Sequence, residues 1–200
     1  MKTIAILGPT ASGKTALSID LALAYNAVIL SLDSLSIYTH IDIASAKPTL
    51  MERQGVVHFG IDVLLPNEHF DVTMFFELYS QAKTYALSHK KNLIIVGGTG
   101  FYLKAMMEGL SLRPELSLHV KKQIAQHLVD LEASYALICE HDPLYAHKIA
   151  SNDRYRIEKW LEIFLSTQRI PSEYLTSAKQ PALLNDASLF EIETPKDILL

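Results

Sequence analysis

The chain has 200 residues, of which 49% are hydrophobic and 20% are charged, and its net charge is −4. This composition suits a globular core with a small additional unit, and it excludes a disordered chain and a protein that coats DNA through a globally basic surface. No apolar run reaches the roughly 18 residues of a membrane span, and the single cysteine, Cys139, excludes an internal disulfide, so we expect a cytoplasmic protein with no membrane association.

The first half of the chain alternates predicted strands with predicted helices. The apolar runs that predict strands are Thr3–Leu7, Ala27–Leu32, Val56–Val63 and Asn92–Val96. The segments whose apolar spacing predicts helices are Gly13–Tyr25, 71–89 with Asp71 as cap, and the sequence FYLKAMME, for which Gly109 is the expected left-handed cap. Strands that alternate with helices indicate a parallel sheet covered on both faces.

The pattern changes after residue 110. Successive helices without a convincing strand are predicted until SLFEIE, residues 188–193, which predicts one more strand of the sheet. We therefore expect an α/β, P-loop NTPase-like core over 1–110, an all-helical insertion over 111–180 and a return to the core over 181–200. Thr194-Pro195 is a strong helix start close to the last residue, which suggests a truncated sequence.

A glycine-rich loop follows the first strand. Gly8-Pro9-Thr10-Ala11-Ser12-Gly13-Lys14-Thr15 fits the phosphate-binding pattern G-x-x-x-x-G-K-[ST]. Backbone N–H groups of such a loop surround phosphates at a helix start, the lysine adds a charge, and the Thr15 hydroxyl can complete a Mg²⁺ shell. The position between a strand and a helix argues against a chance match, but the loop alone does not identify the reaction.

Two further features are predicted at the same edge of the sheet. Asp33 follows the second strand and can either accept a proton from a nucleophile or cap the turn that follows, and position alone favours neither. Gly97-Gly98-Thr99-Gly100 stands where an ATPase strand would end in an acid. The missing acid argues against NTP hydrolysis, and Thr99 offers a hydroxyl to the cleft or caps the next helix.

Basic and aromatic side chains cluster in the sequence SNDRYRIEKWLEIF. Asp153 can cap a helix that carries Arg154, Arg156 and Lys159 beside Tyr155, a combination that suits looped RNA. The same segment contains an ordinary buried stripe that includes Trp160, and its basic residues can equally form a solvated face paired with acids. This feature alone is weak evidence for RNA binding.

Four motifs in order carry a family resemblance over nearly the whole chain. The sequences GPTASGKT, DSLSIY followed by DIASAKP, VGGTGFYLKA and NDRYRIEKWLEIF resemble those of tRNA dimethylallyltransferases, also called tRNA isopentenyltransferases. The resemblance implies transfer of the dimethylallyl group from dimethylallyl diphosphate to N6 of adenosine 37, beside the tRNA anticodon. The chain departs from the usual pattern at Ser36, commonly glutamine, and at Ala44-Ser45, in a segment that commonly reads GTAKP.

The resemblance also implies roles for individual residues. The phosphate loop with Lys14 would hold the diphosphate with Mg²⁺ on Thr15, Asp33 would act as general base, and Thr99 would contact the reacting centre. The residues that align with tRNA-contacting positions are Asp33, Ser34, Leu35, Ser36, Thr99, Lys121, Tyr155, Arg156, Ile157, Glu158 and Lys159. The expected partners are dimethylallyl diphosphate and the tRNA anticodon stem-loop, bound by a monomer.

Two other functions are compatible with the residues. A P-loop kinase for a small molecule would use Asp33 to hold the acceptor hydroxyl, although the chain shows no arginine-rich lid pattern that would clamp a nucleotide. A catalytically silent RNA-binding fragment would bind the anticodon stem-loop without transferring a prenyl group.

Overall fold

A computed structural model describes residues 1–98, 100–111 and 113–193, which form two units. The first comprises Met1–Glu108 with the segment that starts at Ala182, and the second comprises Gly109–Pro181. In the described residues no helix is both long enough and apolar enough to cross a membrane. The predicted helix start at Thr194 lies outside the described residues.

The first unit is built on a five-stranded parallel sheet. Its strands are β1 (Thr3–Leu7), β2 (Ala27–Ser31), β3 (His58–Phe59), β4 (Asn92–Gly97) and β5 (Ala187–Glu191), in the spatial order β3-β2-β4-β1-β5. The central strand β4 pairs with β1 through Leu7 opposite Gly97, and with β2 through Ser31 opposite Val96. The carboxyl ends of β1, β4 and β2 therefore lie side by side.

Helices cover both faces of this sheet, which confirms the predicted P-loop NTPase-like α/β fold. The helices are α1 (Lys14–Ala24), α2 (Val72–Ser88) and α3 (Gly100–Glu108). Alternate residues of β2 separate the two layers: Ile29 packs with α1, and Val28 and Leu30 pack with α2 and α3. The predicted cap of α2 is present, because the Asp71 carboxylate accepts hydrogen bonds from Thr73 N and Met74 N.

The third strand is shorter than its apolar sequence predicted. The apolar run suggested Val56–Val63, but only His58–Phe59 pair with β2. Gly60 has φ +77° and Asp62 has φ +56°, so the backbone leaves the extended region immediately after the strand. A Cβ on Gly60 would lie 2.9 Å from Ser31 O, so this turn also needs the close approach that glycine permits.

The second unit is helical. Its helices are α4 (Leu118–His127), α5 (Leu131–His141), α6 (Pro143–Ala146), α7 (Arg154–Thr167) and α8 (Pro171–Ser177). Trp160 is fully buried among their apolar faces, as the spacing in α7 predicted. The first and last residues of this unit lie next to each other, because Gln180 N donates to Leu110 O and Ser111 pairs with Lys179. Gly109, at φ +82°, allows this approach to Gln180.

Candidate active site

The phosphate loop joins β1 to α1 in a conformation that depends on its glycines. Gly13 has φ +79° and immediately precedes α1, so the first amides of that helix have no side-chain cap. Gly8 is buried, and a Cβ there would lie 3.1 Å from Ser12 Oγ and 3.2 Å from Ile192 Cβ. A helix start whose first amides have no side-chain cap, next to a glycine that allows close approach of the backbone, is typical of an anion-binding site.

Lys14 lies over its own loop. Its Nζ donates to Pro9 O and lies 3.4 Å from Ser12 Oγ. Burial lowers the pKa of Lys14, and attraction to Asp33 opposes the shift. Asp33 is thus close enough to Lys14 to influence its pKa, in line with two side chains at one edge of the sheet.

A cleft of about 650 Å³ opens beside the loop. Ala11, Ser12 and the residues up to Ala16 line this cleft, and Ala46, Lys47 and Pro48 also line it. A second cavity, of about 520 Å³, lies between α1 and the sheet and is lined mainly by apolar side chains such as Ile4 and Leu17. The first cleft suits a phosphate compound, because polar and cationic groups line it.

Asp33 caps the turn that follows β2, as one of the two interpretations of its sequence position predicted. Its Oδ1 accepts hydrogen bonds from Leu35 N at 2.8 Å and Ser36 N at 3.3 Å. Both bonds use the same carboxylate oxygen, so the capping role does not require Oδ2. The turn uses Oδ1 of Asp33, and this is compatible with a role for Oδ2 as proton acceptor. The two interpretations of Asp33 are therefore not exclusive.

The neighbours of Asp33 differ in exposure. Ser34 and Leu35 are exposed, whereas Ser36 is 3% exposed and its hydroxyl lies 3.0 Å from Ser31 Oγ and 3.3 Å from Gly60 O. The Ser36 side chain thus holds the turn against the sheet. A tRNA contact from this turn is better served by Ser34 and Leu35.

The glycines at the end of β4 allow that strand to end tightly between its neighbours. A Cβ on Gly97 would lie 2.5 Å from Leu32 Cβ and 2.7 Å from Leu32 O. A Cβ on Gly98 would lie 3.7 Å from Gly8 O. The turn is therefore inserted between the end of β2 and the phosphate loop. Thr99 lies outside the described residues, so its predicted role stays a prediction.

The RNA-binding residues predicted in the helical unit are a mixture of exposed and structural groups. Tyr155, Arg156 and Lys121 are exposed and Glu158 is half-buried, but Ile157 is fully buried. The exposed residues suit a nucleic-acid surface, whereas the Ile157 side chain belongs to the core of the unit.

Ion pairs restrain two of the basic side chains in α7. Arg156 Nη1 lies 3.2 Å from Asp153 Oδ2, and Lys159 Nζ lies 2.5 Å from Glu162 Oε1 and 5.7 Å from the centre of the Tyr155 ring. Pairing of the basic residues with acids was one of the two expectations for this segment, although Glu162 itself is buried. These acids offset part of the positive charge that a phosphate would meet.

The sequence interpretation missed one charged cluster beside the cleft. Lys47 has a side chain that is only 3% exposed, and it is paired with Asp42 and Asp62. These residues are separated along the chain, so no local motif joins them. The only signal was the position of Lys47 in a family motif.

Comparisons with known proteins agree on one family. A model described as IPP transferase matches residues 36–199. The tRNA dimethylallyltransferase of Sulfurovum sp. (strain NBC37-1) is 48% identical over 200 residues, and that of Aliarcobacter butzleri (strain RM4018) is 49% identical over 199 residues. Each alignment covers 100% of this chain and 66% of the relative, so the chain spans just under two thirds of their length.

Solved structures give the same result. A eukaryotic dimethylallyltransferase acting on tRNA matches with a TM-score of 0.79 and 26% identity, covering 96% of this chain and 48% of that one. The tRNA delta(2)-isopentenylpyrophosphate transferase of Staphylococcus epidermidis matches with a TM-score of 0.56 and 30% identity, covering 100% of this chain and 66% of that one. These matches agree with the phosphate cleft described above. The chain belongs to the IPP transferase family.

Proposed function

We propose that this chain carries the site that transfers a dimethylallyl group from dimethylallyl diphosphate to N6 of adenosine 37 in tRNA. One observation carries the proposal: the phosphate loop, the glycine turn and Asp33 follow three adjacent strands, β1, β4 and β2, at one edge of the sheet. This arrangement supports a site in which an electrophile, held by its diphosphate, and a proton acceptor would lie on either side of a central turn. The relatives named above are tRNA dimethylallyltransferases.

The phosphate loop supports departure of the diphosphate. As the C–O bond of the dimethylallyl group breaks, negative charge grows on the leaving oxygen. The backbone N–H groups at the start of α1 and the ammonium of Lys14 stabilise that charge without having to reorganise. The loop therefore acts as a cradle for a leaving group.

Asp33 removes the proton that the new bond makes acidic. The N6 lone pair attacks the allylic carbon, and the Asp33 carboxylate accepts the N6 proton as the N–C bond forms. The Leu35 and Ser36 amides keep the carboxylate oriented while it does so. The products are prenylated adenosine and intact diphosphate.

The donors at the cleft fit Mg²⁺. Thr15 supplies a hydroxyl, Asp20 and Glu52 line the same cleft, and a bound diphosphate would supply further oxygens, which are the ligands Mg²⁺ prefers. When bound, the ion would supply Lewis-acid stabilisation of the diphosphate. Thr15 is the residue that would hold it.

The groups that we propose for tRNA contacts are exposed. Ser34 and Leu35 lie beside Asp33, and Lys121, Tyr155 and Arg156 are exposed in the helical unit. Phosphate contacts and base stacking by such groups suit an anticodon loop, whose bases leave their stack at little cost. A reaction on tRNA and the single cysteine support a cytoplasmic location, and we propose that the protein acts there as a monomer.

Nucleoside mass spectrometry tests the proposal. The chain, and in parallel a version extended to the length of its relatives, is incubated with dimethylallyl diphosphate, Mg²⁺ and unmodified tRNA. We expect prenylated adenosine at position 37 from the extended version. No prenylated adenosine from that version would contradict the proposal. Thermal protection by MgATP but not by the prenyl diphosphate would instead favour the kinase.

A further inference from the structure

Lys47 is a buried lysine that the mechanism above does not use. Its Nζ donates to Tyr38 O at 2.5 Å, Asp42 Oδ1 at 2.9 Å and Asp62 Oδ1 at 2.7 Å. A lysine ammonium has three protons to donate, so these acceptors satisfy all of its hydrogen bonds. Burial works to lower the pKa of Lys47, but hydrogen bonds and attraction from Asp62 and Asp42 outweigh it and raise the pKa. Lys47 is therefore a permanent cation at working pH.

The ammonium joins segments that are far apart in the chain. Tyr38 belongs to the segment that begins with the Asp33 turn, and Asp62 follows β3. Arg53 strengthens the connection, because its Nε donates to Pro48 O at 2.9 Å and its Nη2 lies 3.5 Å from Asp62 Oδ2. Both cations hold the residues around position 48 to Asp62.

The same segments reach the cleft and the Asp33 turn. The backbone of Asp62 donates to Ser36 O at 3.1 Å, and Val63 N donates to Ile37 O at 2.7 Å. The residues on either side of Lys47, Ala46 and Pro48, line the phosphate cleft, and residues 46–48 are called here the 46–48 wall. A side chain that fixes Asp62 to this wall thus links the phosphate cleft to the Asp33 turn.

We infer that Lys47 is a positioning residue whose ammonium clamps the 46–48 wall of the phosphate cleft against Asp62 and the Asp33 turn. The inference rests on the proposed function only in that the ligand of the cleft is taken to be a diphosphate. The three donors of the Lys47 ammonium are all taken by two carboxylates and a carbonyl of the chain, which leaves none for the ligand, so Lys47 shapes the cleft instead of binding the ligand. Loss of the clamp should weaken ligand binding in a chain that still folds.

The test is isothermal titration of inorganic diphosphate with Mg²⁺ into the 200-residue chain, at a temperature where each variant is folded by circular dichroism. Lys47→Met keeps the length of the side chain and removes the charge, and we expect the Kd for diphosphate to rise at least tenfold. Lys91→Met is the matched control: Lys91 precedes β4 at the opposite edge, where it donates to Asn26, and we expect no change. An unchanged Kd in folded Lys47→Met would overturn the inference.

Asp62→Asn separates a clamp from direct contact with the ligand. If Lys47 positions the wall, removing its carboxylate partner also raises the Kd, and the two substitutions together are less than additive. If Lys47 instead bound phosphate directly, Asp62→Asn would leave binding unchanged or tighter, which would contradict positioning. Should Lys47→Met not fold, Asp42→Asn removes one partner whose side chain is 70% exposed, and a rise of about two- to threefold is expected; no rise would overturn the inference.

Transfer assays on the extended version distinguish this inference from the proposed function. Positioning predicts that Lys47→Met raises KM for the prenyl diphosphate more than KM for tRNA. If the wild type binds diphosphate but transfers no prenyl group, the proposed function is contradicted and the positioning role of Lys47 is not. If the wild type transfers the prenyl group and Lys47→Met has an unaltered KM for the prenyl diphosphate, only the positioning role of Lys47 is contradicted.

Discussion

Two aspartates, one in each unit, show how differently the same side chain is used. Asp33 accepts its hydrogen bonds from residues two and three positions away, and it is partly open to solvent. Asp142 in the helical unit is 3% exposed and, besides a local hydrogen bond from Tyr145 N, accepts distant ones from Trp160 Nε1 at 3.1 Å and from Ser172 N at 3.0 Å. Local bonds leave a carboxylate able to act on a ligand, whereas distant partners commit it to the fold. The residue type alone therefore does not identify a functional acid.

Asp33→Asn should cause the largest loss of activity with little loss of stability. The amide oxygen can still accept from Leu35 N and Ser36 N, so the turn is preserved while the base is lost. Removing a general base typically lowers the rate by about 10²–10⁴-fold, and we expect kcat for prenyl transfer to fall by that amount. Single-turnover kinetics on the extended version measures it, with the melting temperature as the stability readout.

Asp71→Asn is the control for Asp33→Asn. Asp71 also accepts two backbone N–H bonds at a turn, but it precedes α2. Near wild-type kcat in Asp71→Asn, together with the loss in Asp33→Asn, would assign the effect to the base. Normal turnover by Asp33→Asn would exclude Asp33 as general base.

Lys14→Met should lower turnover by about 10²–10³-fold, the loss typical when one donor to a developing anion is removed. The lost ammonium acts mainly as charge grows on the diphosphate, so kcat should fall more than diphosphate affinity. Steady-state kinetics on the extended version measures both. A fall in affinity with unchanged kcat would show that Lys14 binds the ground state only, and Lys2→Met, before β1 at the opposite edge of the sheet, serves as control.

Asp142→Ala should destabilise the helical unit by about 3 kcal/mol, because it leaves the buried Trp160 N–H and Ser172 N–H without acceptors. Urea unfolding followed by Trp160 fluorescence measures the change. Asp130→Ala removes an exposed helix cap with a single bond to Ala133 N, and a loss of about 1 kcal/mol is expected. Equal effects of the two substitutions would contradict the distinction between local and distant bonding.

Lys121→Ala should have the smallest effect, on the salt dependence of tRNA binding. Lys121 is exposed on α4, whereas Lys159 is engaged by Glu162 and Tyr155. One lost phosphate contact reduces the slope of log K against log salt by about 1, and we expect this for Lys121→Ala and less for Lys159→Ala. Filter binding at several salt concentrations measures the slopes, and a larger change for Lys159→Ala would reverse the assignment.

The features that the sequence predicted well are those encoded by neighbouring residues. The strand–loop–helix arrangement around Gly13, the Asp71 cap and the left-handed Gly109 each depend on residue types within a few positions. The strand at His58–Phe59 was predicted too long, because the apolar residues gave no indication that Asp62 adopts positive φ.

The features that the sequence did not predict depend on residues that only the fold brings together. Lys47 and Asp62 are 15 positions apart, and Asp142 and Ser172 are 30 apart. A lysine or an aspartate in a sequence carries no sign of its own burial, so these clusters had no local signal. For Asp33 the sequence left capping and catalysis open, and the turn shows why both can hold.

The central claim is that the phosphate loop holds a leaving group whose bond to carbon breaks. Dimethylallyl diphosphate labelled with oxygen-18 at the bridging C–O oxygen tests it directly, in a reaction with the extended version, Mg²⁺ and tRNA. We predict that the label appears entirely in released diphosphate while adenosine 37 gains the unlabelled prenyl group. Release of monophosphate, or label retained on the prenyl product, would show that a P–O bond breaks and would contradict the account.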